Sequence, residues 1–198
     1  MRRSQVFATL VTMTLMASSA FAADILDLAR RLVRYSGGVN LILRNFESGM
    51  VASVAAPAIF RQSFDQAIAD NQAALAAADD QMAHAYAKAY TAEQMAPEVS
   101  FYESPEGQDI MKQSQDKFGA VVWPDPGSVG LSAAQSAALI KFHDAVKVRA
   151  AIAAKNPDAT DAIMASETDA LVKIRAAAFA NYCKIRDCKA EHVTPPPQ

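Results

Sequence analysis

Glycine is scarce, cysteine occurs twice and tryptophan once in a chain of 198 residues. Period-two alternation of apolar and polar residues, the mark of half-buried strands, is missing, which argues against a sheet protein. No Gly-rich phosphate loop, zinc-protease helix motif or calcium loop is present, so the nucleotide and metal chemistries those motifs serve have no starting point here. A Cys-x-x-Cys-His string is also absent, which excludes covalent haem attachment of that type. The formal net charge is −2, and a nucleic-acid partner would call for a basic face instead. Beyond the first residues, no segment approaches the ~20 consecutive apolar residues of a membrane helix.

What is present begins with an export signal. Arg2 and Arg3 are followed by an apolar core over Val6–Met16 and the small-x-small site Ala20-Phe21-Ala22, the pattern of a secretory signal peptide cleaved after Ala22. The core is too short for a permanent span. No cysteine stands at the cleavage site, so a lipid anchor of the bacterial type is not indicated. Cleavage removes two arginines and no acid, leaving a mature charge of −4. The mature chain is expected in the periplasm, with length enough for one domain with a buried core.

The remainder is rich in Ala, Leu, Gln, Glu and Lys, all helix formers. Ile25, Leu28, Leu32 and Tyr35 recur at helical spacing, and Gly37-Gly38 stops that helix. A second helix is expected from Val39 to Val54, with Ile42, Phe46 and Met50 on one face, and Pro57 marks the next boundary. Phe60, Phe64, Ile68, Leu75, Met82 and Tyr86 then keep a thin apolar stripe. Asp79-Asp80 invites a fresh cap, so one bent helix or two short ones are expected there.

Thr91-Ala-Glu-Gln94 is a capping box, in which a hydroxyl and an amide side chain satisfy free backbone amides reciprocally. Ser104-Pro105 starts another helix, with serine as N-cap and proline at the first position. Trp123-Pro-Asp-Pro-Gly127 is the clearest loop, and residues 123–131 are the candidate subdomain seam. Ser132-x-x-Gln135 repeats the capping box, and the helix that follows, carrying Leu139, Phe142 and Val146, ends at Asn156-Pro157. A last helix is expected from Asp158 to Lys184. The Pro-rich tail, 191–198, is expected to be extended or disordered. Thr91–Glu103 and Ser132–Asp144 align without gaps, a faint internal echo with two readings: shared capping grammar, which is favoured, and a true duplication.

Tyr86, Tyr90, Thr91, Gln94, Met95, Phe101, Tyr102, Ser104, Pro105 and Gly107 form a combined pattern: a tyrosine-bearing helix end, a cap, then Phe-Tyr-x-Ser-Pro-x-Gly. Over residues 85–112 the chain resembles a family of secreted bacterial proteins catalogued as domain of unknown function 2059. Residues 25–64 resemble it more loosely. Pro97 departs from the pattern, and the half after Gly127 has no parallel. The resemblance implies a mostly helical envelope protein and brings no catalytic residues.

The side chains that carry chemistry are few. Phe101, Tyr102 and Gly107 are candidates to line a ligand groove, although aromatics at helical spacing more often pack in a core. Cys183 and Cys188 are expected to form a disulfide in an oxidising compartment. On a regular helix they point about 140° apart, so the helix must end between them. Closing so small a loop contributes about 2 kcal/mol in the chain-entropy model and fastens the C-terminal end. His192 makes Cys183, Cys188 and His192 a loose three-ligand metal alternative that lacks a fourth ligand. Asp80 and His84 share a helix face, half of a general-base arrangement, with an ordinary solvated ion pair as the plainer account. His143 carries no partner signal. Glu98, Glu103, Glu106 and Asp109 cluster around the signature, where they suit helix starts and a solvated face better than a cation site.

The expectation is an all-α, single-domain bundle of about seven or eight helices over residues 23–190. The functional expectation is a non-enzymatic module without metal or other cofactor that binds an envelope protein or an apolar ligand. A hydrolase-like enzyme using His84 and Asp80, or metal carriage through Cys183, Cys188 and His192, are the alternatives.

Overall fold

A computed structural model describes residues 24–114, 123–128 and 130–188. The expected export signal over 1–22, the Pro-rich tail over 191–198 and His192 lie outside the described residues. Everything regular among the described residues is helical. Residues 24–36 form α1, followed by α2 (Gly38–Val51), α3 (Pro57–Asp70), α4 (Gln72–Ala89), α5 (Ala92–Glu103), α6 (Pro105–Ser114), α7 (Ala133–Lys155) and α8 (Pro157–Ile185). The all-α expectation therefore stands.

The chain divides into two compact units. Among the described residues, one comprises those up to Leu32 together with those within Tyr86–Asn156, and the other Val33–Ala85 together with those from Pro157 to Cys188. Residues 123–131, the candidate seam, fall inside the first unit.

In the first unit, local chemistry sets the helix ends. At α7 the capping box is complete: Ser132 Oγ accepts from the Gln135 amide at 3.1 Å, and Gln135 Oε1 accepts from the Ser132 amide at 2.8 Å. At α5 Gln94 Oε1 accepts from the Thr91 amide at 2.9 Å. Pro97 sits inside α5, where it forfeits one helical hydrogen bond. The core gathers Met95, Val99, Phe101 and Tyr102 of α5, Ile110 of α6, and Leu139 and Phe142 of α7, all nearly inaccessible.

In the second unit, α3 and α8 are the principal packing pair. Phe60 lies edge-on to Phe179 and Tyr182, with centroids 5.5 and 5.7 Å away, and Tyr182 is fully buried. The Tyr182 hydroxyl accepts from the Ala56 amide at 3.3 Å, just ahead of Pro57. Such burial of aromatic and aliphatic side chains supplies the main stabilisation, about 1.5–3 kcal/mol for each large one. Arg44 bonds both Glu47 and Asp65, at 2.8 and 2.6 Å.

The structure moves one expected break. The chain interrupts its helix at Asn71, whose side chain donates to the Ala67 carbonyl at 2.8 Å, and α4 runs unbroken through Asp79-Asp80. Asp79 caps a different helix: its Oδ1 accepts from the Val39 amide at 2.9 Å, at the start of α2. Gly37 and Gly38 turn the chain with φ of +89° and +48°. A Cβ on Gly38 would lie 2.3 Å from Asp79 Oδ1, so the missing side chain is what admits this cap.

Candidate functional site

Three short pieces of the first unit converge: the end of α4 with Tyr86 and the adjoining Tyr90, the length of α5, and the middle of α7. Successive turns of α5 direct Met95, Glu98, Val99 and Tyr102 inward at i, i+3, i+4 and i+7. These four positions would be routine in a core were one not a carboxylate. Glu98 is 1% exposed. Arg149 of α7 meets it with two hydrogen bonds, Nε to Oε1 at 2.7 Å and Nη2 to Oε2 at 3.0 Å. The guanidinium also donates to the Tyr86 hydroxyl at 3.3 Å and lies 5.6 Å from the centre of that ring. The planar fork of arginine matches a carboxylate in this bidentate way.

Burial alone would oppose the charge on Arg149. The hydrogen bonds to Glu98 and the fields of Tyr86, Glu98 and Tyr90 outweigh it, so the guanidinium is held above its ordinary range. Tyr102 shifts in the same direction for a different reason: burial, reinforced by the Glu98 charge, pushes its phenol up to about 12. The native state keeps a proton that an unfolded tyrosine loses near pH ~10, so the contribution is whole below that pH and is lost as pH rises toward about 12. Alkaline titration is expected to cost about 3 kcal/mol across that window. Tyr102→Phe, followed by denaturant melts at pH ~9 and pH ~11, is expected to remove that part of the slope; an unchanged slope would assign it elsewhere.

Next to the ion pair is an aromatic cluster. Phe101 stacks on Phe142 with centroids 4.4 Å apart, and Trp123 stands 4.9 Å from Phe142 and 5.6 Å from Phe101. Tyr102 joins edge-on at 5.4 Å from Phe142. In the sequence Trp123 reads only as part of a loop. Phe101 and Tyr102, the groove candidates, are thus placed within a packed cluster, 4% and 6% exposed.

Gly107, the third groove candidate, serves the corner between α5 and α6. Ser104 Oγ donates to the Phe101 carbonyl at 2.8 Å and accepts from the Gly107 amide at 3.0 Å. A Cβ on Gly107 would fall 1.9 Å from the Phe101 carbonyl oxygen. The corner closes only because that atom is missing.

The acidic residues do not behave as one solvated face. Glu98 is buried on Arg149. Glu103 takes Arg31 of α1, with Arg31 Nε 2.9 Å from its Oε1 and a second contact from Arg31 Nη2 to Oε2. Glu106 and Asp109 lie in the first turns of α6, Asp109 exposed and Glu106 half-buried, a placement the helix dipole favours. Sequence reasoning misses Arg149. The available signal is its register: it lies seven residues after buried Phe142, on the inward side of α7.

In the second unit, His84 Nδ1 lies 2.8 Å from the Asp80 carbonyl oxygen and 3.5 Å from the Asp80 carboxylate, with the imidazole half exposed. Cys183 and Cys188 are joined as a disulfide across the end of α8, Cα atoms 5.4 Å apart, so the pair offers no thiolates to a metal. A hollow of about 210 Å³ is lined by residues that include Ala74, Ala77, Gln81, Asp169 and Lys173, none of them a groove candidate. In the first unit, His143 stands beside Phe142, ring centroids 5.9 Å apart. No group of three or more metal-ligating side chains is assembled among the described residues. Nor is any helix among them long and apolar enough to cross a membrane.

Residues 76–123 match the model of a family described as an uncharacterized protein conserved in bacteria (DUF2059). The matched stretch contains Tyr86, Glu98, Phe101, Tyr102 and Gly107, but not Arg149. No curated protein and no solved structure matches the chain.

Proposed function

We propose that this is an exported, non-enzymatic helical module that works in the periplasm by presenting a surface to a partner. One observation carries the reading: the side chains with most chemical potential in the stretch that matches the family model are committed to contacts within the fold. Glu98 is bonded to Arg149, Glu103 to Arg31, and Phe101 and Tyr102 pack within an aromatic cluster. A group spent on holding its own fold is poorly placed to turn over a substrate. The disulfide and the export signal support an oxidising compartment. His84 is turned toward its own helix, where its Nδ1 meets the Asp80 carbonyl.

The test sets the purified protein against ester, phosphoester, glycoside and peptide substrates, beside a His84→Ala variant. No turnover is expected in either. A hydrolytic activity present in the native protein and lost in His84→Ala would overturn the reading in favour of the Asp80–His84 enzyme.

A further inference from the structure

The outer face of α7 is basic in a chain that is acidic as a whole. The helix carries Lys141, Lys147, Arg149 and Lys155 against one acid, Asp144. Its net charge is +3, while the remaining residues together carry −5. Arg149 is turned inward onto Glu98, but the three lysines are exposed. At about 100° per residue they share an arc of about 120° with Ile140, Val148 and three exposed alanines. Ile140 is 49% exposed and Val148 52%. Asp144 lies in the same arc, 3.6 Å from Lys147. The opposite side of the helix is the core side, with Leu139, Phe142 and Ala145.

We propose that this face of α7 docks on an anionic phospholipid surface, which deepens the interaction reading above and rests on it. The charge segregation supplies the first argument. An acidic protein is repelled by an anionic membrane except where exposed cations locally outnumber acids, as three lysines outnumber Asp144 on this face. Shape supplies the second. The face runs along a helix of about 35 Å and is convex. A peptide partner is recognised through pockets, whereas a lipid surface needs only spread cations and aliphatic side chains able to enter the headgroup region. Lysine suits that role because its stem lies along apolar surface while the ammonium stays in water. Nucleic acid, also anionic, would gain nothing from Ile140 and Val148. With two half-exposed aliphatics and three lysines, the attachment is weak, reversible and salt-sensitive.

The experiment is co-sedimentation of the full mature protein with vesicles of phosphatidylcholine, alone or with about 30% phosphatidylglycerol. Partition onto the anionic vesicles is expected at low salt, falling steeply with added salt, and none onto the neutral ones. Lys141→Glu/Lys147→Glu/Lys155→Glu is expected to lower it by about tenfold or more. Lys112→Glu/Lys173→Glu/Lys184→Glu, which changes total charge equally at exposed lysines elsewhere, is expected to lower it less than about twofold. Ile140→Ser/Val148→Ser keeps the charge and is expected to lower it several-fold. Circular dichroism checks that each variant is folded, and the salt and lipid dependence of the unaltered protein stands without any variant. No preference of the unaltered protein for anionic vesicles, or equal losses in the two lysine triples, overturns the proposal. Either result leaves the non-enzymatic reading intact, since that is decided by the turnover assay.

Discussion

Arg149→Met is expected to lower the stability of the first unit by about 3–5 kcal/mol. Methionine keeps the apolar stem and lacks only the guanidinium end, so lost volume is the smaller part of the cost. The larger part is electrostatic. Glu98 is 1% exposed and would be left in a low-dielectric surround without its bidentate partner. Trp123 is the only tryptophan of the chain and sits against Phe101 and Phe142 of the same unit. Its emission in a denaturant melt therefore reports this unit directly. A second variant decides the cause. Glu98→Leu combined with Arg149→Met replaces both charges with apolar volume and is expected to recover most of the loss, as exchanges of buried pairs for hydrophobic groups often do. Equal loss in the single and double variants would show that the pair matters through its shape alone.

Gly107→Ala is expected to cost about 3 kcal/mol, the upper part of the range for a methyl group forced into a filled space. The obstacle is backbone: the Phe101 carbonyl oxygen lies 1.9 Å from where the added Cβ would stand, so no side-chain rotation relieves it. The corner must open, which strains the Ser104 bridge to Phe101 and to Gly107 and disturbs the Phe101–Phe142 stack. Gly127→Ala is the control: among the described residues nothing lies within 4 Å of its Cβ position, and its effect is expected within about 0.5 kcal/mol. A Gly107→Ala melt indistinguishable from that control would mean that the corner is softer than its geometry implies. Gly107 opens a helix and Gly127 closes a loop, but the cost of the added methyl group is set by what surrounds each Cβ position.

These variants also separate two uses of the Phe-Tyr-Glu-Ser-Pro-Glu-Gly stretch. If the stretch existed to form a groove, Gly107→Ala would disturb binding with little effect on folding. The packed positions of Phe101 and Tyr102 lead to the opposite order, with stability lost first. The same logic applies to Glu103, whose pairing with Arg31 joins α5 to α1. That pair is partly exposed, so it contributes less than the Glu98 pair, on the order of 1 kcal/mol or below.

The sequence by itself determined the helical class, most helix ends and the terminal disulfide. Those features are local. A cap spans three residues, Gly37-Gly38 turns the chain by its own conformational freedom, and Cys183 and Cys188 are joined across a single helix end. The energies act between neighbours in the chain, so the pattern of neighbours is enough to read them. Tertiary structure alone decided that Glu98 meets Arg149 across 51 residues, that Asp79 caps α2 across 40, and that Trp123 closes on Phe142. A carboxylate on a helix is ordinarily solvated, and only packing against another element shows that it is not. The same reason left Phe101 and Tyr102 open to two readings: their spacing places them on one side of α5, but only α7 arriving against that side makes it a core.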